Sequence, residues 1–338
     1  GNPDSEWIQR GACHATQVNF LILEFGIHKI IANSSSVQWG YYDPQAKPLF
    51  NVSSGDIVEV FTEPGMREID SEIKEIVSSE LIDIVENGQR ILGGHILNGP
   101  IGIDDALAGD VLEVKMLEIR PRYDWGFNRF RPLYGGLPED FPYERRIIID
   151  IDKENNICHW DTGVSIPLSP FFGNMGVAPP LNLGKVPSTV PGPWGGNMDN
   201  KEFTVGTSVF FPVFINGAQF SIGDGHGCQG DGESCLSALE CGLVGKVQFF
   251  LHKNSKLEIP MAESSDDFIF MGFDPILDNA VKDVIREAIK FLGERFEIPK
   301  DDAYTLCSLS LDLRVTQIVN GTKGVHGLLS KSLFKDLN

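Results

Sequence analysis

The sequence predicts a β-rich α+β fold, with a β-sandwich or barrel-like portion, a smaller α/β portion and C-terminal helices. The 338 residues include 36 Gly and 20 Pro, a content that favours many turns and short strands over long helices. Short alternating strands follow tight turns in the first two thirds of the chain. The clearest helical pattern, by contrast, lies near the C-terminus.

Alternation of apolar and polar residues predicts the strands. The four candidate segments are residues 57–61, 111–114, 145–152 and 208–215. Each of the first two follows a Gly-Asp turn, and their acidic members, Glu59 and Glu113, are expected to face away from their apolar neighbours. Residues 167–193 are rich in Pro and Gly without any period, which predicts an ordered loop or a boundary between halves.

Two helices are predicted near the C-terminus. Asp274 can cap the first helix, Pro275 suits its first turn, and one apolar stripe continues to its expected end near Gly293. That stripe is interpreted as core packing rather than as a partner surface. A second helix is expected from residue 301 or 302 to about 309, before a strand at 313–319.

The domain prediction divides the chain near its Pro-rich segment. A chain of 37.3 kDa can bury about three quarters of its unfolded surface, so it needs no disulfide or metal to fold. Residues 1–190 are expected to form a β-rich N-terminal part. Residues 191–338 hold the densest reactive side chains and a C-terminal α/β part, and the alternative is one intertwined domain.

The acidic composition excludes one class of partner. The chain has 28 Lys+Arg against 47 Asp+Glu, a net charge of −19, whereas nucleic-acid binding requires positive charge. Most of these acids are interpreted as solvated surface, with a small share gathered to hold a metal cation. No run of 18 apolar residues occurs, so no membrane partner is expected.

Cysteine spacing indicates the compartment. The six cysteines are scattered without a C-x-x-C pair, which is typical of reduced thiols in a cytosolic protein. Residues 18–31 are interrupted by charged side chains and lack the cleavage pattern of a signal peptide. A cytoplasmic location is therefore predicted, while the first residue, Gly1 rather than Met, leaves a trimmed or secreted form open.

The densest cluster of reactive side chains is residues 223–233, Gly-Asp-Gly-His-Gly-Cys-Gln-Gly-Asp-Gly-Glu. If the strand that precedes it continues, Asp224 and His226 point to the same face, as two ligands must. One interpretation is a plain turn in which Asp and Gly adopt positive φ. A second is a G-x-G-x-x-G dinucleotide loop, although no βαβ unit surrounds it and its acids oppose a pyrophosphate. The third is a hard-metal or zinc site.

Two further candidate residues lie outside this segment. Asp199 follows Gly195-Gly196-Asn197-Met198, and it is either a site carboxylate or the cap of a turn. His95 lies beside an apolar pair, where it is either an additional site residue or a hydrogen-bonded core group. The residues alone leave both questions open.

Nine segments occur in an order that points to one protein family. They are residues 37–43, 54–56, 95–101, 108–114, 191–199, 212–214, 223–233, 312–317 and 324–326. The most specific is Gly-Asp-Gly-His followed by Gln-Gly-Asp-Gly-Glu. Together they resemble the acetamidase/formamidase family of amidohydrolases, from about residue 28 to the end.

The resemblance implies hydrolysis of a short carboxamide to a carboxylate and ammonia, with formamide or acetamide as type substrates. It also implies a β-rich, metal-dependent enzyme that assembles as a homo-oligomer. Asp199, Asp224 and His226 would be the metal ligands, and zinc is preferred to calcium as the divalent cation. The residues that would line the same pocket are Gln229, Asp231 and Glu233.

A mechanism for the implied reaction follows from the two obstacles to amide hydrolysis. Water is a weak nucleophile, and a metal lowers the pKa of bound water to about 7 and polarises the carbonyl. The leaving nitrogen must be protonated, a task for Glu233 that is worth about 10²–10⁴-fold. Asn197 or Gln229 would donate a hydrogen bond to the developing oxyanion.

Two alternatives compete with this hypothesis. Cys228, two residues from His226, could form a thiolate pair with it and act as a nucleophile. The rival from another class is a non-catalytic module that holds a structural Ca²⁺ through Asp224, Asp231 and Glu233.

Overall fold

The structure is a computed structural model and describes residues 25–336. Its largest sheet has nine strands, numbered in chain order and antiparallel except for the first pair. In spatial order they are β1 (Ile27–Ile31), β5 (Ile57–Phe61), β18 (Leu243–His252), β7 (Val111–Pro121), β16 (Ser208–Pro212), β19 (Met261–Glu263), β20 (Asp267–Asp274), β22 (Lys323–Ser330) and β21 (Leu311–Gln317).

Three smaller sheets complete the β structure. The seven-stranded sheet comprises, in order, β14 (Pro191–Gly192), β15 (Gly195–Asn197), β12 (Phe171–Gly176), β17 (Phe220–His226), β6 (Ile96–Ile103) and β2 (Val37–Trp39), with β4 (Asn51–Val52) also paired to β6. The four-stranded sheet comprises β11 (Ser165–Pro167), β10 (Ile157–His159), β9 (Arg145–Asp152) and β8 (Trp125–Phe130). The last pair is β13 (Val186–Pro187) with β3 (Tyr41–Tyr42).

The described helices are α1 (Ser79–Asn87), α2 (Leu277–Phe296) and α3 (Lys300–Ser310). The main apolar core lies between the nine-stranded and seven-stranded sheets, where Val114 and Phe249 of one meet Phe172 and Phe220 of the other. A second core fills the opposite face of the nine-stranded sheet, against α2 and α3. The β-rich α+β prediction with C-terminal helices is therefore confirmed.

Several predicted boundaries are confirmed and others need correction. Residues 57–61 and 145–152 are strands over the predicted ranges, and the strand from residue 111 extends to Pro121. The strand from residue 208 ends at Pro212, because proline has no N–H to continue the ladder. The loop prediction for residues 167–193 is wrong, since that segment contains β12. Every residue of β12 is buried, so no alternation marks it.

The C-terminal helices occur close to their predicted places. Helix α2 begins at Leu277 rather than directly after Asp274, which ends β20 and accepts the N–H of Ile276 at 2.7 Å. It continues past Gly293 and ends at Glu297, whose φ is +57°. Helix α3 spans Lys300–Ser310, and β21 then begins two residues earlier than predicted.

The division of the chain at residue 190 stays a prediction. The nine-stranded sheet inserts β18 between β5 and β7, so strands from both sides of that boundary pair directly. Among residues 25–336 no helix is long and apolar enough to cross a membrane. The five cysteines in that range are free thiols, and Cys13 lies outside it.

Candidate active site

Four buried carboxylates surround one buried imidazole at the end of β17. Ligand atoms of Asp199, His226 and Glu233 lie within 4.8 Å of one another, as do those of Asp224, His226 and Glu240. All five side chains are nearly inaccessible to solvent. We call these five residues the carboxylate cluster. If all four carboxyl groups were ionised, they would carry four negative charges against the single positive charge that His226 can supply.

The seven-stranded sheet positions most of the carboxylate cluster. Strand β17 continues through His226, which is the condition under which Asp224 and His226 were predicted to share a face. It therefore contributes both residues. The neighbouring strand β12 pairs with β17 on one side and with β15 on the other, which brings Asp199 next to them. The Asp199 N–H donates to the carbonyl of Gly173 in β12 at 3.0 Å.

Three of the carboxylates sit on backbone that L-residues rarely adopt. The φ angles are +48° at Asp199, +56° at Asp224 and +48° at Glu233. Such a conformation costs about 1–3 kcal/mol and concentrates at functional sites. The fold therefore tolerates local strain at three positions, and all three carboxylates lie close to the imidazole of His226.

The hydrogen bonds of Gln229 fix the orientation of the imidazole. Its Nε2 donates to the carbonyl of Asp199 at 2.7 Å, so its Oε1 faces Nδ1 of His226 at 3.0 Å. Because Oε1 only accepts, Nδ1 carries a proton and Nε2 is directed at the carboxylates. Nε2 lies 3.2 Å from Glu240 Oε1 and 3.6 Å from Asp224 Oδ2. This is the arrangement of a metal-binding histidine with a fixed tautomer.

The pKa values of the carboxylate cluster diverge. Burial raises the pKa of Glu233 well above its ordinary value, and the charge of Asp199 adds to that effect. Burial also raises the pKa of Asp199 and of Glu240. Burial alone would raise the pKa of Asp224 as well, but His95 and His226 hold it well below its ordinary value. Protons therefore offset part of the negative charge, and a divalent cation could replace them.

Burial alone would lower the pKa of His226. The charges of Glu240 and Asp224 outweigh it and raise that pKa well above its ordinary value. The imidazole is accordingly the one positive group held inside the carboxylate cluster.

The geometry of the site is suited to a bound cation. Asp199 Oδ1 and Glu233 Oε2 are buried, no N–H or hydroxyl group donates to either, and the two carboxyl groups face each other. A methyl group at Gly173 would lie 2.5 Å from Asp199 Oδ1, 2.9 Å from Asp224 Oδ2 and 2.7 Å from His226 Cε1. All three predicted ligands therefore border the space above Gly173. Unpaired buried carboxylate oxygens are costly unless a cation compensates them, so the residues fit a divalent metal.

The other predicted site residues occupy different positions. His95 lies at the rim, with Nδ1 2.9 Å from Ser188 Oγ and Nε2 3.8 Å from Asp224 Oδ2. Asn197 is buried beside the carboxylate cluster, but its amide bonds Asn174 and the Thr189 carbonyl. The Oδ1 and Nδ2 atoms of Asn197 are therefore both engaged, although Nδ2 was predicted to donate to an oxyanion.

Asp231 lies outside the carboxylate cluster. It is exposed and pairs with Lys201 at 3.0 Å, because the chain turns outward between Gln229 and Glu233. This position differs from the predicted pocket lining. Cys228 is also separate from the carboxylates: burial, with the nearby thiol of Cys158, raises the pKa of its thiol to about 12, which opposes a thiolate nucleophile.

Sequence reasoning missed three residues that contribute to the site. Glu240 is a single acid between Leu239 and Cys241, and only its burial distinguishes it. Gly173 leaves space at the point where the ligand atoms meet. Asn320 donates Nδ2 to Asp199 Oδ2 at 2.6 Å from a turn more than 100 residues away in the chain. No local pattern identifies any of them.

Comparison with known proteins identifies the family of the chain. The profile of the Acetamidase/Formamidase family matches residues 28–188 and 184–329. The chain is 28% identical to an acetamidase of Mycolicibacterium smegmatis over 207 residues, 44% of this chain and 51% of that protein. It is 29% identical to a formamidase of Methylophilus methylotrophus over 201 residues, covering 44% and 48% respectively. The matched region thus spans about half the length of these relatives.

A solved structure extends the similarity over the whole fold. The crystal structure of an acetamidase from Yersinia enterocolitica superposes with a TM-score of 0.80 at 27% identity, covering 93% of this chain and 94% of that one. The family profile, for its part, covers most of residues 28–329. The chain belongs to the acetamidase/formamidase family.

Proposed function

We propose that the protein hydrolyses a short-chain carboxamide, of formamide or acetamide type, to a carboxylate and ammonia, with the help of a divalent cation. The observation that carries the proposal is the convergence of Asp199 Oδ1, which has no hydrogen-bond donor, Asp224 Oδ2 and one oriented imidazole above Gly173. The relatives named acetamidase and formamidase support the choice of substrate class. Zinc is preferred to calcium, since an imidazole among the ligands suits zinc better.

Asp199, Asp224 and His226 would hold the cation. When bound, it would polarise the amide carbonyl and lower the pKa of a water molecule. Gln229 keeps the Nδ1 proton of His226 in place, so Nε2 is directed at the carboxylates. We therefore assign Gln229 a positioning role instead of the oxyanion contact, because both ends of its amide are already engaged.

Glu233 is the proposed proton donor to the leaving nitrogen. Burial and the charge of Asp199 raise its pKa, which favours the protonated carboxyl, and no N–H or hydroxyl group donates to its Oε2. A protonated carboxyl beside the reacting amide can deliver the proton that ammonia requires in order to leave. Such a group is worth about 10²–10⁴-fold in rate.

Two properties remain proposals on the strength of sequence and family alone. We expect a cytoplasmic protein, because the scattered cysteines suit a reducing compartment. We also expect a homo-oligomer without nucleic-acid partners, the latter because the net charge is −19.

Ammonia release tests the proposed function. The purified protein is incubated with formamide, acetamide and longer linear amides, before and after exhaustive chelation, and its metal content is measured in parallel. We expect ammonia from at least one short amide, loss of turnover with the metal, and recovery on addition of zinc.

Three results would contradict parts of this proposal. Turnover that is unchanged at zero metal content would remove the cation from the reaction. Bound metal without ammonia from any amide would favour the non-catalytic binding module. Loss of activity in Cys228→Ala with metal content intact would favour the thiol mechanism instead.

A further inference from the structure

Four arginines gather beside the active site of this acidic protein. We call Arg67, Arg90, Arg129 and Arg131 the arginine cluster. Burial lowers the pKa of Arg67, and the charges of Arg131, Arg90 and Arg129 lower it further, so three other positive groups act on Arg67. In a chain of net charge −19, a local excess of positive charge needs an explanation.

The arginine cluster lacks the carboxylate partners that other arginines of the chain possess. Arg122 pairs with Glu63 and Glu80, at 2.7 and 2.8 Å. Among residues 25–336, by contrast, three of the clustered arginines form no ion pair. The fourth, Arg129, reaches only Glu144 at 3.7 Å, and that carboxylate is 58% exposed. The three without an ion pair are Arg67, Arg90 and Arg131.

The guanidinium group of Arg131 is held in place, while one of its N–H donors has no hydrogen-bond partner. Arg131 stacks 3.9 Å above the ring of Tyr134, and its Nε is buried without a hydrogen-bond partner. A stacked guanidinium has lost part of its freedom already, so little further entropy is lost when it binds an anion. A buried unpaired donor is costly, and an acceptor from a ligand would remove that cost.

The arginine cluster borders the candidate active site on two sides. Arg67 Nε would lie 3.3 Å from a Cβ placed on Gly94, the neighbour of the rim residue His95. The loop that carries Arg131 packs against the segment after Glu233, where the N–H of Gly136 donates at 2.7 Å to the carbonyl of Ser234. The charge of Arg129 also acts on Glu240 of the carboxylate cluster.

We propose that the arginine cluster binds a carboxylate carried by the amide substrate, so that the preferred substrates are monoamides of short dicarboxylic acids. The inference rests on the proposed amidase function and specifies its substrate class. Formamide and acetamide have no group that would need these arginines. An anionic substrate does need them, because the buried carboxylates would otherwise repel it. Paired guanidinium groups match the planar geometry of a carboxylate.

A pair of matched substrates tests the proposal on the metal-loaded protein. Succinamate and butanamide have similar length and differ in the terminal carboxylate. We expect a higher kcat/KM for succinamate than for butanamide. In Arg67→Gln and Arg131→Gln the ratio of the two should fall about 10–100-fold, the range of one hydrogen bond to a charged group. Malonamate and glutaramate then locate the preferred spacing.

Arg295→Gln is the matched control. Arg295 also lies over an aromatic ring, that of Phe296 at 5.6 Å, and its Nε is also buried without a partner, but it belongs to α2 on the far side of the nine-stranded sheet. Its replacement should leave the substrate ratio unchanged. A similar drop in this variant would mean that loss of any stacked arginine disturbs the enzyme, and it would overturn the proposal.

Binding of succinate, measured by calorimetry, separates this inference from the amidase proposal. Succinate should bind the wild type, more weakly at high salt and about 10-fold or more weakly in Arg67→Gln. Turnover of acetamide without a succinamate preference or succinate binding would overturn the anion site alone. Arginine-dependent succinate binding without ammonia from any amide would overturn the amidase alone.

Two other outcomes would also reject the proposal that the arginine cluster binds a substrate carboxylate. Inorganic phosphate that binds while succinate does not would assign the arginines to a different anion. Dissociation of an oligomer in Arg67→Gln, followed by light scattering, would assign them to acids of a second copy of the chain.

Discussion

Two sites in this protein that pair a histidine with buried carboxylates differ in their charge balance. On the helix-facing side of the nine-stranded sheet, His252 Nε2 lies 2.7 Å from Glu113 Oε2, and Ser208 Oγ donates to the other oxygen at 2.7 Å. One carboxylate there meets one imidazole and one hydroxyl. In the carboxylate cluster, four carboxylates share a single imidazole, and two of their oxygens have no partner.

The comparison separates structural from functional burial of charge. The Glu113 site satisfies both oxygens within the protein, and it joins β7, β16 and β18 at the second core. The carboxylate cluster cannot satisfy itself, so protons or an added cation must complete it. An imbalance that the fold holds in place at positive φ is better evidence for chemistry than burial or histidine content alone.

The largest expected difference between the two sites is in turnover. Glu233→Gln should lower kcat about 10²–10⁴-fold, because the amide cannot supply the proton. The same change should raise the Tm of the chelated protein, since it removes one of four crowded carboxylates. Steady-state kinetics and calorimetric melting measure the two effects.

Glu113→Gln is the matched control for that prediction. It should leave kcat within about 2-fold and lower the Tm, because it breaks a satisfied pair with His252. Equal losses of turnover in both variants would remove the functional distinction between the sites.

Closing the space above Gly173 should give the next largest effect. In Gly173→Ala, the added methyl group would lie 2.5 Å from Asp199 Oδ1, so the ligand atoms must separate. A displacement of that size costs about 10²-fold in turnover. Gly230→Ala is the control, because a Cβ there meets nothing within 4 Å. Metal content and kcat should fall together in the first variant only, and normal metal content in it would count against the site.

Gln229→Leu should have a smaller effect, through the orientation of His226. Loss of such a hydrogen bond typically weakens metal binding about 10–100-fold, and competition with a chelating dye measures it. Gln248→Leu also removes a half-buried amide, one that donates to the Gly55 carbonyl at 2.8 Å away from the site. If both variants bind metal equally well, Gln229 has no positioning role.

The smallest predicted effect is a pH dependence of stability in the chelated protein. Asp199, Glu233 and Glu240 have raised pKa values, so the folded state binds more protons and loses stability as pH rises above about 4–4.5. His226 acts in the same direction above about 6.5. The contribution of Asp224, whose pKa is lowered, is already complete above about 4.

Tm should therefore fall between pH 5.5 and 8 by about 1–3 °C, the shift that 1–2 kcal/mol produces in a protein of this size. Metal should reverse the trend, because its binding releases protons and strengthens with pH. A Tm of the chelated protein that rises over this interval would contradict the raised pKa values of these groups.

How much the sequence could predict depended on whether the determining contacts were local. The spacing of Asp224 and His226 along one strand was sufficient to place them together, as was the Gly-Asp turn before β5. Asp199 could be assigned to the site only through the family resemblance. The pairing of β12 with β15 brings it next to β17, and that pairing joins segments that are separate in the sequence. Glu240 needed knowledge of burial, which one acid between two apolar residues does not reveal.

The wrong predictions have an equally local cause. Strand β12 is buried on both faces, so its sequence shows no alternation and reads as a loop. Asp231 shares a motif with Glu233, yet the turn at Gly232, with φ of +98°, directs the two carboxylates to opposite environments. Motif membership therefore identified the neighbourhood of the site but not each side chain within it.

The bond from Asn320 to Asp199 has a consequence for the order of events during synthesis. Proteins emerge from the ribosome at about 5–20 residues per second, N-terminal segments first. Asp199 and Asp224 leave well before the turn that contains Asn320, and Thr316, whose carbonyl lies 3.4 Å from Gln229 Nε2, is equally late. A growing chain thus displays several carboxylates without the residues that orient them. Selective binding of the proposed cation is accordingly expected only of the finished fold.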